Sequence, residues 1–292
     1  MPTKELKILK TPLSQAKVDL IATLTPIYGV SEAHSMARIL FEDYFNWNLH
    51  AESDNMVFEH LLQTDFQTII QRLLNFEPIQ YIVGFAWFYG QKFKVNPTVL
   101  IPRPETEELV HWILESCPQK TKLNVLDIGT GSGCIPIVLK QKKVNWEITA
   151  CDVSESALIT ASRNAYRLNV IIDFQRIDIL NTADWQLFPK MDVIVSNPPY
   201  IPFQEKALMH ENVLKYEPHL ALFVSDENPL LFYEAIAHFA LQYLNPNGFL
   251  FFECNEHNAT AVVELLKHKK FKNVELRQDM SGKNRMIRAT MS

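Results

Sequence analysis

The sequence predicts an α/β fold in which a mostly parallel sheet carries helices on both faces, preceded by a small helical domain. Beyond residue 121, short apolar runs alternate with segments of helical periodicity, as expected for successive β-α units. Residues 13–75 instead place apolar residues at helical spacing throughout. Near the end of the chain, two strand-like runs follow each other without a helix, which indicates a terminal antiparallel hairpin.

The composition is that of a folded globular protein. The 292 residues are 47% hydrophobic and 21% charged, with a formal net charge of -5, which excludes a disordered chain. No apolar run approaches the roughly 18 residues that a membrane helix needs, and the segment Met1 to Thr11 lacks the apolar core of a signal peptide. A sequence pI near 6.0 argues against a protein that mainly binds nucleic acid. We expect a cytoplasmic monomer with no direct contact to nucleic acid or membrane.

The cysteine and histidine residues show no metal-binding pattern. The four cysteines form no Cys-x-x-Cys pair and stand at Cys117, Cys134, Cys151 and Cys254. The nine histidines include no His-Glu-x-x-His motif. We therefore expect no catalytic metal, and we expect the thiols to pack as small buried groups.

The N-terminal region is predicted to be a helical bundle. A break before Ser31-Glu32 indicates a new helix start, and Glu77-Pro78 is predicted to end the bundle. Residues 1–75 contain more acidic than basic residues. This region is either a scaffold or a docking surface for a partner, and its sequence does not decide between the two.

A connector follows the bundle. Residues 80–100 are rich in aromatic and β-branched residues interrupted by glycines, which predicts a hairpin-like structure. Next comes Ile101-Pro102-Arg103-Pro104-Glu105-Thr106-Glu107, whose prolines impose an extended backbone before a helix that Thr106 or a neighbour could cap. The predicted domain boundaries divide the chain into 1–76, 77–103 and 104–292.

The α/β region beyond residue 121 is predicted to hold a seven-stranded sheet. The predicted strands are Asn124–Ile128, Glu147–Cys151, Ile172–Arg176, Asp192–Ser196, Phe249–Glu253, Asn273–Gln278 and Arg285–Thr290. The predicted helices are Cys134–Gln141, Glu155–Leu168, Leu230–Leu244 and Ala259–Lys269. Because strands and helices alternate along most of this region, the sheet should be mostly parallel.

The first motif with chemical meaning is a strand that runs into a glycine-rich turn, Val125-Leu126-Asp127-Ile128-Gly129-Thr130-Gly131-Ser132-Gly133. Glycines permit a tight turn and let a ligand approach the backbone closely. A dinucleotide-binding fold would have Gly-x-Gly-x-x-Gly, whereas Cys134 stands after Gly133 here. The carboxylate of Asp127 suits a ligand with a cationic ammonium or sulfonium end and repels a pyrophosphate. The motif therefore indicates S-adenosylmethionine rather than NAD.

Acidic residues follow the next two predicted strands. Asp152 can accept both ribose hydroxyls of a nucleoside, or it can stabilise the start of the next helix. Asp178 could accept the adenine amino group while Ile179 packs on the ring. An ordinary solvated loop acid is nearly as good an interpretation of Asp178.

The second motif is a buried strand that stops at Asn197-Pro198-Pro199-Tyr200. An amide or exocyclic amino nitrogen is a poor nucleophile because its lone pair is delocalised. Two acceptors that hold its hydrogens, the Asn197 side-chain carbonyl and the Pro198 backbone carbonyl, can turn that lone pair toward a methyl group. Pro199 helps to hold this backbone rigid, and Tyr200 can stack on a planar substrate. The motif predicts methyl transfer to a planar nitrogen.

With these residues in place, the chain resembles the HemK/PrmC family of release-factor glutamine N5-methyltransferases from about Glu77 to the C-terminus. The stretches that carry the resemblance are Pro78-Ile79-Gln80-Tyr81-Ile82-Val83-Gly84, Ile101 to Glu107, Asp127 to Gly133, Asn197 to Ile201, Glu217-Pro218-His219-Leu220-Ala221-Leu222 and Asp279-Met280-Ser281-Gly282-Lys283-Asn284-Arg285. Glycine turns and Asn-Pro-Pro-Tyr occur in many amino-methyltransferases, so these two motifs do not identify one family. The Pro-Arg-Pro-Glu-Thr-Glu segment is the feature that narrows the resemblance to the HemK/PrmC family.

The resemblance implies a class I S-adenosylmethionine-dependent methyltransferase with a Rossmann-like sheet. It implies that Gly129 to Gly133, Asp152, Ile179 and Asn197 contact the cofactor, which leaves as S-adenosylhomocysteine. It also implies that Asn197 to Tyr200 hold a glutamine in the Gly-Gly-Gln loop of class 1 peptide chain release factors, which the N-terminal domain docks.

The chain departs from the family pattern in two places. Glu253-Cys254-Asn255-Glu256-His257-Asn258 stands where the family usually has Glu-x-Gly-x-x-Gln. A usual glycine is also replaced around Asn228-Pro229. Both departures concern the rim of the expected pocket.

Two other classes of function compete with this interpretation. A DNA adenine-N6 methyltransferase can hold a flipped base with the same Asn-Pro-Pro-Tyr segment, but it should carry a basic recognition region. A non-catalytic binding protein could retain the fold as a scaffold. The presence of Asp127, Gly131 and Asn197 argues against the scaffold.

Overall fold

The computed structural model describes residues 13–47, 60–117 and 122–291. Its helices are α1 (Leu13–Tyr28), α2 (Val30–Arg38), α3 (His60–Leu74), α4 (Ile79–Val83), α5 (Pro104–Ser116), α6 (Cys134–Lys142), α7 (Glu155–Arg167), α8 (Glu211–Tyr216), α9 (His219–Leu222), α10 (Leu231–Tyr243) and α11 (Ala259–His268). Its strands are β1 (Phe85–Phe88), β2 (Gln91–Lys94), β3 (Asn124–Ile128), β4 (Glu147–Asp152), β5 (Asp173–Arg176), β6 (Met191–Ser196), β7 (Ile201–Pro202), β8 (Phe223–Val224), β9 (Leu244–Glu253), β10 (Lys272–Gln278) and β11 (Asn284–Thr290). A π-helical turn spans Ile39–Tyr44, and 3-10 helices span Thr182–Leu187 and Phe203–Leu208.

The chain divides into two compact units. One comprises Met1–Gly84 with Glu211–Tyr216, and the other comprises Phe85–His210 with Glu217–Ser292. The predicted boundaries at residues 76 and 103 stay predictions. Among the described residues, no helix has the length and apolar content to cross a membrane.

The described residues of the first unit are mostly helical, and the helices bury apolar side chains such as Leu20, Leu40 and Leu73. The prediction of helix over 13–75 is confirmed for most of the described residues, with a break at Gly29, whose φ is 80°. Residues 45–47 are not helical, and the part of the prediction that falls on 48–59 lies outside the described residues. Helix α8 packs into this unit, where the Tyr216 hydroxyl donates a hydrogen bond to the Asn75 carbonyl at 2.9 Å.

A further short helix follows Glu77-Pro78, the predicted end of the bundle, because Pro78 is the N-cap of α4. Proline is tolerated at a helix start because its missing N–H has no intrahelical partner there. Gly84 ends α4 in the left-handed conformation, with a φ of 78°.

The connector forms the predicted hairpin over β1 and β2, whose strands are antiparallel with Phe88 opposite Gln91. The two turn residues, Tyr89 and Gly90, both have positive φ, at 50° and 74°. Two such residues are typical of the hairpin turn that matches the twist of its strands. The beginning of the predicted connector, up to Val83, is helical instead because it belongs to α4.

A seven-stranded sheet in the order β10-β11-β9-β6-β3-β4-β5 organises the second unit. Strands β9, β6, β3, β4 and β5 are parallel, whereas β11 pairs antiparallel with both β9 and β10. The predicted parallel sheet and its antiparallel terminal hairpin are thus confirmed. Carboxyl ends of parallel strands meet at one edge, so the segments that follow β3, β4, β5, β6 and β9 lie close together there.

Successive side chains of the central strands point alternately into two hydrophobic cores, one on each face of the sheet. Leu126 and Ile194 pack with α10 and α11 on one face, whereas Val125 and Val193 pack with α5, α6 and the connector hairpin on the other. The period of two along each strand produces this division. All four cysteines are buried and free, as predicted.

Candidate active site

The glycine-rich turn connects β3 to α6 at the carboxyl edge of the sheet. Its three glycines have positive φ, 75° at Gly129, 54° at Gly131 and 79° at Gly133. A Cβ added to Gly129 or Gly131 would have no heavy atom within 4 Å, so the backbone borders open space there. A Cβ at Gly133 would lie 3.0 Å from the Cβ of Ala161. The first two glycines therefore leave room for a ligand, and the third permits α6 and α7 to pack closely.

Gly133→Ala should destabilise the protein more than a matched glycine substitution does. Gly282 has the same φ of 79°, but a Cβ there meets nothing within 4 Å. Gly282→Ala should therefore cost about 1–2 kcal/mol from backbone strain alone. Gly133→Ala should cost a further ~1–3 kcal/mol from overpacking against α7. Urea unfolding of both variants measures the difference, and equal losses would contradict the packing role of Gly133.

Asp127 is a buried carboxylate near the end of β3. Its exposed fraction is 0%, and neither Oδ1 nor Oδ2 has a partner within hydrogen-bond geometry among the described residues. Burial raises the pKa of Asp127 to about 7, while the side chain of the nearby Thr130 opposes that shift. A buried, unpartnered carboxylate costs free energy unless a donor or a cation compensates it. This arrangement is suited to a ligand that brings such a group.

Asp152 joins the end of β4 to the glycine turn. Its Oδ2 accepts the Gly131 backbone N–H at 2.9 Å, and its Oδ1 accepts the Ser154 backbone N–H at 2.9 Å. Burial raises the pKa of Asp152, and these backbone hydrogen bonds oppose that shift. Each oxygen keeps a second lone pair that can accept from a ligand hydroxyl.

Asp178 and Ile179 follow β5 at the same edge. Asp178 Oδ1 accepts the Leu180 backbone N–H at 2.9 Å, which closes a local turn. Ile179 is buried, and its carbonyl accepts from the indole Nε1 of Trp185 at 3.0 Å. The Trp185 hydrogen bond holds the segment that presents both residues.

These segments surround a cavity of about 280 Å³. The predicted site residues that line it are Gly129, Thr130, Gly131, Ser132, Asp152, Asp178, Ile179, Asn197, Pro198 and Pro199. Asp127, Gly133 and Tyr200 do not line it, although each directly adjoins a lining residue in the chain. The structure therefore brings most of the predicted residues around one space at the carboxyl edge of the sheet.

The Asn-Pro-Pro-Tyr segment begins where β6 ends. Asn197 Nδ2 donates to Thr106 Oγ1 at 3.3 Å, and Thr106 Oγ1 donates to Glu253 Oε2 at 2.6 Å. The Tyr200 hydroxyl donates to the other oxygen of Glu253 at 3.4 Å. Burial raises the pKa of Tyr200, and the neighbouring Glu253 charge adds to that shift.

Thr106, one of the residues predicted to cap α5, is not its N-cap residue. The helix begins at Pro104 with Arg103 as the N-cap residue and no side-chain capping bond. The Thr106 hydroxyl is one turn further along, where it reaches Glu253 because α5 packs on β9 through Trp112 and Phe251. The Thr106 hydroxyl therefore bonds to Glu253 and not to a backbone N–H at the start of α5.

Glu253 is a site residue that the sequence reasoning did not assign. Its exposed fraction is 1%, and burial raises its pKa to about 7. The sequence does contain a signal for Glu253. The apolar run Phe249–Phe252 is typical of a strand buried on both faces, and an acidic residue directly after such a run stands out. Arg103 also lines the cavity, where its Nη2 contacts Glu217 Oε1 at 2.5 Å.

This fold and site together define a class I S-adenosylmethionine-dependent methyltransferase. The chain matches the family model of the methyltransferase small domain over residues 109–220 and that of the PrmC N-terminal domain over residues 19–84. A solved methyltransferase from Pyrococcus furiosus has a similar fold, with a TM-score of 0.50 and 19% identity, covering 75% of this chain and 96% of that one.

Two relatives match over most of their length. The release factor glutamine methyltransferase of Flavobacterium psychrophilum is 42% identical over 277 residues, which cover 93% of this chain and 96% of that protein. The enzyme of the same name from Bacteroides thetaiotaomicron is 44% identical over 227 residues, covering 78% of this chain and 81% of that protein. The chain belongs to the release factor glutamine methyltransferase family.

Proposed function

We propose that the protein transfers a methyl group from S-adenosylmethionine to the side-chain amide nitrogen (N5) of the glutamine in the Gly-Gly-Gln loop of class 1 peptide chain release factors. The names of the relatives support a glutamine of a release factor as the acceptor. The observation that carries the proposal is that the glycine turn after β3 and the Asn-Pro-Pro segment after β6 line one cavity. A cofactor and an acceptor nitrogen can meet in such a space.

The donor set fits S-adenosylmethionine. Asp127 offers two unpartnered oxygens next to the glycine turn, which suit the positive charge of the methionine end. Gly129 and Gly131 leave open space beside their backbone. Asp152 would accept the ribose hydroxyls, Asp178 would accept the adenine amino group, and Ile179 would pack on the ring. When bound, the cofactor supplies a methyl group attached to positively charged sulfur.

The protein's part in the reaction is to position the acceptor amide and to stabilise charge. The Asn197 side-chain carbonyl and the Pro198 backbone carbonyl would accept the two amide hydrogens and turn the nitrogen lone pair toward the methyl group. Pro198 and Pro199 restrict the backbone that holds these acceptors. Tyr200 would pack against the planar amide and favour the positive charge in transit. The excess proton leaves the nitrogen after the methyl group arrives.

The remaining parts of the proposal concern the whole chain. The helical domain at 1–76 would dock the release factor, the connector spans 77–103, and the methyltransferase domain spans 104–292. We propose a cytoplasmic monomer that contacts neither nucleic acid nor membrane directly and uses no metal. Its products are the N5-methylated factor and S-adenosylhomocysteine.

Methyl transfer from labelled S-adenosylmethionine tests the proposal with three acceptors in parallel. These are a class 1 release factor, the same factor with the Gly-Gly-Gln glutamine changed to alanine, and duplex DNA. We expect label on the first acceptor alone. Label on DNA alone would instead establish the adenine-N6 alternative, and calorimetry showing no binding of S-adenosylmethionine would favour a scaffold.

A further inference from the structure

Glu253 connects two members of the Asn-Pro-Pro-Tyr segment. Asn197 reaches it through the Thr106 hydroxyl, with contacts of 3.3 Å and 2.6 Å. Tyr200 reaches it directly at 3.4 Å. We call the chain Asn197-Thr106-Glu253 the amide relay. Its outer members come from different strand ends, and its middle member comes from the first turn of α5.

The direction of each hydrogen bond in the relay follows from the chemistry of its members. When Glu253 is ionised, its carboxylate can only accept, so Thr106 must donate its single hydroxyl hydrogen to Glu253. Thr106 can then only accept from Asn197. The NH₂ group of the Asn197 amide must therefore face Thr106, and its carbonyl oxygen must point the other way.

Each carboxylate oxygen of Glu253 has one hydroxyl partner, Thr106 at Oε2 and Tyr200 at Oε1. Burial raises the pKa of Glu253, whereas the Thr106 hydrogen bond and the positive charges of Arg285 and Arg103 act in the opposite direction and favour the ionised form. The relay is a directed chain when Glu253 is ionised.

The fold holds the relay in place. Ser196 at the end of β6 pairs with Phe252 on β9, so Asn197 and Glu253 follow neighbouring positions of adjacent strands. Trp112 of α5 packs edge-on against Phe251 at 5.6 Å between ring centroids, which sets α5 over this strand end. The relay is thus built between a helix and two central strands.

We propose that Thr106 and Glu253 are positioning residues for methyl transfer. The amide relay sets the Asn197 side chain so that its carbonyl oxygen, and not its NH₂ group, faces the acceptor amide. The two orientations of an asparagine amide have nearly the same shape, and only one of them offers an acceptor. The proposal rests on the role of Asn197 in the proposed function.

Steady-state kinetics of Thr106→Val and Thr106→Ser with a full-length class 1 release factor test the relay. Valine has nearly the same shape as threonine, with a methyl group in place of the hydroxyl. Because the relay is then interrupted and Asn197 is less well positioned, kcat should fall about 10- to 100-fold. KM for the factor should stay within about 2-fold, because the lost interaction is made in the transition state. Thr106→Ser should restore most of the rate. Thr290→Val, at the far end of β11, serves as the matched control with unchanged kinetics.

The outcomes separate the relay from the proposed function. No transfer by the wild-type protein would overturn the proposed function and the catalytic role of the relay with it. Transfer by the wild type with an unchanged kcat in Thr106→Val would overturn the relay alone, as would equal losses in the valine and serine variants. If Thr106→Val does not fold, Glu253→Gln replaces it. Glutamine can donate or accept, so the relay loses its direction and kcat should again fall with KM unchanged.

Discussion

Asn197→Ala should lower kcat for methyl transfer about 100- to 1,000-fold. The size is that of removing one preorganised hydrogen-bonding group aimed at the transition state. The alanine variant lacks the side-chain carbonyl that would hold one hydrogen of the acceptor amide. It also leaves the Thr106 hydroxyl without its Asn197 contact. Transfer to a class 1 release factor under saturating S-adenosylmethionine measures the effect.

Asn124→Ala is the matched control for this variant. Asn124 begins β3 at the opposite edge of the sheet, where its Nδ2 contacts the Lys190 carbonyl at 3.5 Å. It should keep the wild-type kcat. The Asn197→Ala, Thr106→Val double variant should be no slower than Asn197→Ala, because residues that act as a unit do not add their effects. Normal turnover by Asn197→Ala would contradict the mechanism.

Asp127→Asn should weaken S-adenosylmethionine binding while making the ligand-free protein more stable. Asp127 is fully buried with two unpartnered oxygens, so its charge is costly until a cationic ligand compensates it. Removing one partner of a buried charge pair costs about 2–5 kcal/mol of binding, so Kd should rise about 30-fold or more. The same change relieves the uncompensated charge in the free protein.

The pH dependence of stability tests whether the Asp127 charge destabilises the ligand-free protein. Because burial raises the folded-state pKa of Asp127 from 3.8 to about 7, the folded protein binds the extra proton between those values. Stability therefore falls as pH rises from about 4 to about 7, by an amount on the order of 4 kcal/mol, and falls no further above that range. Asp127→Asn should remove this decline. Glu253, raised from 4.5 to about 7, contributes a similar decline that the variant retains.

Calorimetry and urea unfolding at several pH values measure both parts of the prediction. Asp173→Asn is the control, because this exposed residue begins β5 at the edge opposite the cavity. It should change neither Kd nor the pH profile. Tight binding by Asp127→Asn would show that another group compensates the ligand's charge.

Local signals predicted the architecture well where they were strong. The glycine turn and the strands on either side of it follow from apolar runs and from residues that permit a tight turn. Short elements between residues 200 and 224, such as β7, β8 and α9, were not predicted, because a two-residue strand has too few residues to show a period. Helix α4 after Pro78 was not predicted, because proline marks helix starts as well as helix ends.

The sequence by itself determined the class of fold, the class of reaction and most of the candidate site. Those follow from contiguous motifs, the glycine turn and Asn197 to Tyr200, in which neighbours in the chain carry the chemistry together. Only the tertiary structure decided that Thr106 contacts both Asn197, 91 positions away in the chain, and Glu253, 147 positions away. Their meeting depends on the pairing of β6 with β9 and on the packing of α5 over that edge. No local period or motif in the sequence predicts such a contact, because contacts between residues far apart in the chain depend on how the whole core packs.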